Sequence, residues 1–318
     1  MINRRSFLGA SSLALLAAGC TSAKKCAAAD KNAPARPRPE GAWTVGKCPF
    51  RLGMAGFSYH RVKLDDMLES LQRLDIHWLC IKDFHLPIKS TPEQIKEFHQ
   101  KCADHGVKGY AVGPIYMSEK DEAKRAFDYA KAVGVDTVVG VPWEPAPDGN
   151  NKWNARWGSR KLCEYLSQLC DEYKIKYAIH NHSSDSPKMF PDGKYGWDMV
   201  KDLSPLMGLC LDVGHEFRDN SDPCDTIRRY HTRLWDIHLK NPANCTLRNS
   251  GARPFPRGRL DLYDVARALC DVNYTGVCGI EYEAFPPKPA KGEKDPGIYE
   301  CQIAESVGYF RGIMDSIR

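Results

Sequence analysis

The sequence holds no Cys-x-x-Cys pair among its 13 cysteines, no stripe of clustered Lys and Arg, and no apolar run long enough to span a bilayer. Each absence excludes something. Without paired cysteines at ligand spacing there is no zinc ribbon or redox motif. Without a basic stripe interleaved with aromatics, nucleic acid is not an expected partner, and the net charge of +5 is spread along the chain. A Gly-rich phosphate turn is also missing after the first strand-like segment, which argues against an open dinucleotide-binding sheet.

The cysteines that are present sit in apolar company. Cys80, Cys210 and Cys278 fall inside strand-like runs, and Cys163 and Cys170 share one face of an expected helix. Most are expected to be buried thiols, with one or two surface disulfides left open.

Residues 1–20 do not read as part of a fold. Asn3-Arg4-Arg5-Ser6-Phe7-Leu8 resembles a twin-arginine export motif, and Gly9–Gly19 is a short apolar segment ending at Cys20. Ala17-Ala18-Gly19-Cys20 resembles a lipobox, with Leu16 four rather than three residues before the cysteine. The expectation is an exported protein, either periplasmic or lipid-anchored to a bacterial membrane through Cys20. A simple cleaved signal is the alternative. Residues 21–48 carry Ala27-Ala28-Ala29 and alternating prolines at 34, 37 and 39, the composition of an extended tether.

From residue 49 to 318 strand-like and helix-like segments alternate. Strands are expected at Leu52–Tyr59, Trp78–Phe84, Val107–Ile115, Val135–Val141, Ile175–His180, Leu206–Val213, Leu234–Leu239 and Gly276–Tyr282. Amphipathic helices follow each, among them Leu64–Leu74, Trp197–Leu203 and a last one at Tyr299–Ile317. Continuously apolar strands alternating with helices imply a parallel sheet covered on both faces. Eight such units in about 270 residues match a closed (β/α)8 TIM barrel in the α/β class. An open doubly wound sheet is the weaker alternative.

In such a barrel the chemistry lies at the C-terminal strand ends. Strands five to eight end in His180, Asp212, His238 and Glu281. Two imidazoles and two carboxylates converging from adjacent strands can hold one divalent ion, Mn, Zn, Co or Fe. Period two along each strand adds His182, Lys240 and Glu283 to the same faces, and His215 follows Asp212 in the next turn. His182 and His215 can orient ligands or shuttle protons. Lys240 can neutralise an enolate oxygen or sit at the rim paired with a carboxylate, and Glu283 can be a base or a solvated rim charge. Across the mouth, Lys82, Asp83 and His85 end strand two, and Trp143 and Glu144 follow strand four. Together with Trp153 and Trp157 they are candidates for substrate hydroxyls and sugar stacking.

Ile-His-Asn-His (179–182), Leu-Asp-Val-Gly-His (211–215), Asp-Ile-His-Leu-Lys (236–240), Gly-Arg-Leu-Asp (258–261) and Gly-Ile-Glu-Tyr-Glu (279–283) resemble the ordered motifs of the sugar phosphate isomerase/epimerase family. These are xylose-isomerase-like TIM barrels. The resemblance implies one divalent metal on His180, Asp212, His238 and Glu281, and a small carbohydrate substrate. In the epimerase branch the strand-five ligand is a Glu that also serves as an acid/base, where this chain has His180. The implied activity is isomerisation or epimerisation of a keto-sugar or sugar derivative through an enediolate. A 3-keto-glycoside lyase or hydratase is the alternative on the same metal. An endonuclease IV-like phosphoesterase and a non-catalytic sugar-binding lipoprotein are the remaining readings. Oligomeric state is not legible.

Overall fold

A computed structural model describes residues 48–144, 156–157, 159–182, 190, 192–245, 251–284 and 297–317. The signal and tether expected over 1–48, with Cys20, lie outside the described residues apart from Cys48. So does Trp153.

Eight parallel strands close on themselves. They are β1 (Arg51–Ala55), β2 (Trp78–Ile81), β3 (Lys108–Met117), β4 (Thr137–Glu144), β5 (Lys176–His180), β6 (Met207–Asp212), β7 (Leu234–Leu239) and β8 (Val277–Ile280). Neighbours in the chain are neighbours in the sheet, and β8 returns to β1 from Arg51↔Val277 to Met54↔Ile280. No barrel strand is left with an open edge. A two-residue strand, Arg156–Trp157, adds to the end of β4 antiparallel.

The helices are α1 (Leu64–Arg73), α2 (Pro92–Asp104), α3 (Lys120–Val133), α4 (Arg160–Tyr173), α5 (Gly193–Val200), α6 (Val213–Arg218), α7 (Pro223–Tyr230), α8 (Leu262–Asp271) and α9 (Ile298–Ser316). Local chemistry sets their ends. Thr91 and Gln94 form a reciprocal capping box on α2, Ser159 caps α4, and Gly134 in the left-handed region closes α3. Within the described residues no helix is long and apolar enough to cross a membrane.

The strands are apolar on both faces, so hydrophobicity alone hides their period of two. Side-chain size reveals it. Tyr177, Ile179, Leu209 and Leu211 pack outward in the large core under the helices, whereas Cys80, Ala111, Val139, Ala178 and Cys210 form a separate inward cluster. Small inward residues leave room at the top of the barrel for longer polar ones.

Several strand and helix ends differ from the sequence expectation by a few residues, β2 stopping at Ile81 and β4 running from Thr137 to Glu144 among them, and three of the differences have a plain local cause. β1 stops at Ala55, and Gly56–Tyr59 turns into a 3-10 helix. There Ser58 Oγ donates to Ile280 O and accepts from Tyr282 N, both at 2.9 Å, so a side chain replaces the strand ladder. β6 stops at Asp212 rather than Val213, because Asp212 Oδ1 accepts from His215 N (2.8 Å) and caps α6, a helix not anticipated. The helix expected at Trp197–Leu203 runs instead from Gly193 to Val200, started by Asp192 accepting from Tyr195 N at 2.7 Å.

Candidate metal centre

The ends of β5 to β8 bring His180, Asp212, His238 and Glu281 together, with their ligand atoms all within 4.8 Å of one another. His180 Nε2 lies 3.0 Å from His238 Nδ1, 3.5 Å from Glu281 Oε2 and 3.9 Å from Asp212 Oδ2. His238 Nδ1 donates to Glu281 Oε2 at 2.6 Å. All four side chains are at most 4% exposed.

Two observations test whether these residues suit a divalent ion. Metal–ligand bonds of about 2.0–2.2 Å place neighbouring ligand atoms about 2.8–3.6 Å apart, and two of the three contacts of His180 Nε2, at 3.0 and 3.5 Å, fall in that range. Asp212 also has a buried oxygen to spare. Its Oδ1 is used by the cap on α6. Its Oδ2 accepts no hydrogen bond of good geometry, although Lys240 Nζ lies 3.0 Å away. A wholly buried carboxylate oxygen without a hydrogen bond is costly unless a ligand takes it. The donor set fits.

Around this cluster sits a layer of charge. Lys240, 1% exposed, places Nζ 2.8 Å from Glu283 Oε2, 3.6 Å from Glu281 Oε1 and 2.9 Å from His215 Nε2. It is therefore a buried hub rather than a rim residue. Burial works against its charge, but Asp212, Glu281 and Glu283 outweigh burial and hold the ammonium above its ordinary pKa. Glu281 is held well below the carboxylate range: burial opposes this, and Lys240 with His238 prevails. Glu283 moves the other way, raised by burial and by Glu281 against the pull of Lys240. Burial, reinforced by neighbouring cations, drives His182 and His215 well below the usual imidazole range. Both are neutral near pH 7.

Asn181 and Asp236 complete the support, and the sequence reading did not single them out. Asn181, between the two histidines, accepts from Asp212 N (2.7 Å) and donates to Asp212 O (3.1 Å), locking the end of β5 to the end of β6. Asp236 lies two residues before His238 on the same inward face. Its Oδ2 is 3.4 Å from His238 Nε2, and Tyr110 OH donates to Oδ1 at 3.1 Å from across the barrel. A carboxylate behind one ring nitrogen favours a proton there and leaves the other nitrogen, Nδ1, toward the quartet. The period-two argument that found Lys240 also reaches Asp236. Nothing local marks Asn181.

The mouth above the cluster is a cavity of about 40 Å³ lined by Phe57, Lys82, Pro114, Tyr116, His180, His182, Glu281 and Glu283. Tyr116 OH and His182 Nε2 share a hydrogen bond of 2.9 Å. Lys82 is 8% exposed, pairs with Asp83 and reaches the mouth. His85 does not: it bonds Val62 O at 3.0 Å and lines a separate cavity beside α2. Trp143 and Glu144 are half-buried and pair through the backbone with Trp157 and Arg156.

Comparison with known proteins agrees with this geometry. A family model described as a xylose isomerase-like TIM barrel matches residues 76–300. The chain belongs to that family. No curated protein matches the sequence. Among solved structures, D-psicose 3-epimerase from Clostridium cellulolyticum H10 with D-tagatose is 15% identical at a TM-score of 0.65, covering 84% of this chain and 100% of its own. The IOLI protein with a bound zinc atom is 18% identical at 0.64, covering 85% and 99%. The probable 3-DHS dehydratase AsbF of Bacillus anthracis is 10% identical at 0.62, covering 82% and 99%. At these identities the likeness is one of fold.

Proposed function

We propose that the protein is a divalent-metal-dependent enzyme that isomerises or epimerises a keto-sugar or sugar derivative through an enediolate. The observation that carries the reading is the buried quartet His180, Asp212, His238 and Glu281, open to a small mouth beside titratable groups. A bound divalent ion would supply Lewis acidity toward a carbonyl and its neighbouring hydroxyl. The protein's own groups supply the rest. Glu283, raised in pKa and anchored to Lys240, is suited to take and return the proton of a substrate C–H. Lys240 and neutral His182, the latter held by Tyr116, can stabilise and reprotonate the oxygen that gains charge. Lys82, Phe57 and Tyr116 form the wall that would receive the sugar.

One observation weighs against two-base epimerisation and toward isomerisation or the lyase or hydratase variant on a 3-keto-glycoside. Of the residues lining the mouth the carboxylates are Glu281 and Glu283, both at the end of β8. Exchange between two carboxylates on opposite substrate faces needs a second strand to supply one, and β5 supplies His180. A one-sided base suits isomerisation or elimination better than two-base epimerisation.

The test is NMR of metal-loaded protein in deuterated water with a panel of ketoses and keto-glycosides. Deuterium at the carbon beside the carbonyl supports the reading, and an unsaturated or cleaved product selects elimination. Neither deuterium uptake nor product from any member would overturn it. The export signal and lipidation at Cys20 are proposed on sequence alone. The mass of the mature N-terminus checks them: an unmodified, uncleaved Met1 rules both out.

A further inference from the structure

The cysteine nearest the start of the described chain, Cys48, lies against Cys270, the next-to-last residue of α8. The two sulfurs are 3.7 Å apart, with the Cys270 thiol directed at Cys48 Sγ. Cys48 Sγ also reaches Met314 O of α9 at 3.6 Å. Cys48 precedes β1, and Cys270 ends a helix that runs back along the barrel, so the pair sits at the face opposite the metal centre.

We propose that Cys48 and Cys270 form a disulfide under oxidising conditions, stapling the segment that enters the barrel to α8. The sulfurs are already in contact, and a disulfide brings them to about 2.05 Å, a difference within reach of side-chain rotation and small backbone adjustment. Exposure sets the order of events. Cys48 is half-exposed and Cys270 is buried. The hydrogen bond from Cys270 stabilises the Cys48 thiolate and lowers its pKa, against burial, while the same bond and burial raise Cys270. The Cys48 thiolate attacks a low-molecular-weight disulfide such as oxidised glutathione, forming a mixed disulfide and expelling one glutathione thiolate. Cys270, as it loses its proton, attacks Cys48 Sγ and expels nothing but the second glutathione. Two protein S–H bonds are replaced by one S–S bond, and the oxidant leaves as two thiols with both electrons and both protons.

The bridge closes a loop spanning 222 sequence positions, nearly the whole barrel, so its constraint on the unfolded chain is large. The remaining buried thiols, such as Cys80, Cys163 and Cys210, lack access to an oxidant.

The test equilibrates the full chain with oxidised glutathione, blocks remaining thiols by alkylation, and maps peptides by mass. The expected result is one cross-linked pair of peptides holding Cys48 and Cys270, and a melting temperature raised by roughly 5–10 °C over the reduced protein. Cys48→Ser, at the half-exposed position, should fold, melt with the reduced protein, and show no oxidant-dependent rise. Recovery of both cysteines alkylated after equilibration overturns the proposal. So does arrest at a Cys48–glutathione mixed disulfide, which means that Cys270 cannot reach. Turnover is not among the readouts, so the result is independent of the proposed reaction.

Discussion

Lys240, itself buried, has its nitrogen 2.8–3.6 Å from an oxygen of each of Asp212, Glu281 and Glu283. Removing one partner of such a group leaves uncompensated charge in a largely buried site, at a cost of about 3–5 kcal/mol. Lys240→Met is therefore expected to lower the urea-melt stability of the metal-free protein by about that amount. Added divalent metal should recover more stability in the variant than in the parent, since the ion brings the charge that was lost. Equal melts for the metal-free variant and parent would show that the ammonium is not what balances the carboxylates. Asp236 acts at one remove. Asp236→Asn keeps the shape but weakens the pull on His238 Nε2, and divalent-metal affinity should fall about 10- to 100-fold by chelator competition. An unchanged affinity would assign Asp236 to the barrel floor alone.

At the scale of elements, two buried polar latches fix how loops return to the barrel. Asn241 donates to Phe255 O and Leu260 O and accepts from Leu260 N, at 2.8–3.0 Å, pinning the far end of the segment after β7. The backbone of Gly258 passes so close that a Cβ there would lie 2.0 Å from Asn241 Cγ. Gly258→Ala should cost about 1–3 kcal/mol in denaturant melts by forcing that latch open. Glu216 is the second. It accepts from Gly193 N at 2.8 Å and from the Thr226 hydroxyl, tying α6 to the starts of α5 and α7. Burial raises its pKa from an ordinary 4.5 to about 8. Between those values the folded state binds a proton that the unfolded chain has lost, so this group makes stability fall as pH rises from 4.5 toward 8. Glu216→Gln, which mimics the protonated acid, should flatten that slope in melting temperature. A variant with the parent's slope would mean that Glu216 is ionised in the fold.

Strand positions and polar strand ends were readable because each barrel strand is an apolar run with a different chemistry at its close. His180, Asp212, His238 and Glu281 could be placed together from that pattern and the barrel's geometry. Features that depend on one contact were not readable. Asp212 reads as a ligand, and only the structure shows that one of its oxygens caps α6 while the other faces Lys240 and the quartet. His85 follows Lys82 closely enough to pass for a mouth residue, yet Val62 O draws it to the far side of the strand end. Asn181 carries no periodic signal. Its role exists only because β6 ends beside it.

For the whole molecule, folding and metal binding are linked, because a preformed ligand set exists only in the folded chain. At metal a thousandfold above its dissociation constant the fold gains about 4 kcal/mol, and a chelator should remove that gain and lower the melting temperature accordingly. A melt insensitive to both metal and chelator would count against the quartet as a binding site.

All four proposed ligands come from β5–β8, whereas Phe57, Lys82, Pro114 and Tyr116 come from the β1–β3 side of the same mouth. The barrel thus divides its labour by halves of the chain. Its C-terminal half can keep the metal ligands and the proton-handling groups while its N-terminal half is rewritten for a new organic partner. Grafting the strand-end segments of β1–β3 from a relative should then change which substrate is accepted while leaving metal affinity where it was, a modularity that a ligand set scattered around all eight strands could not offer.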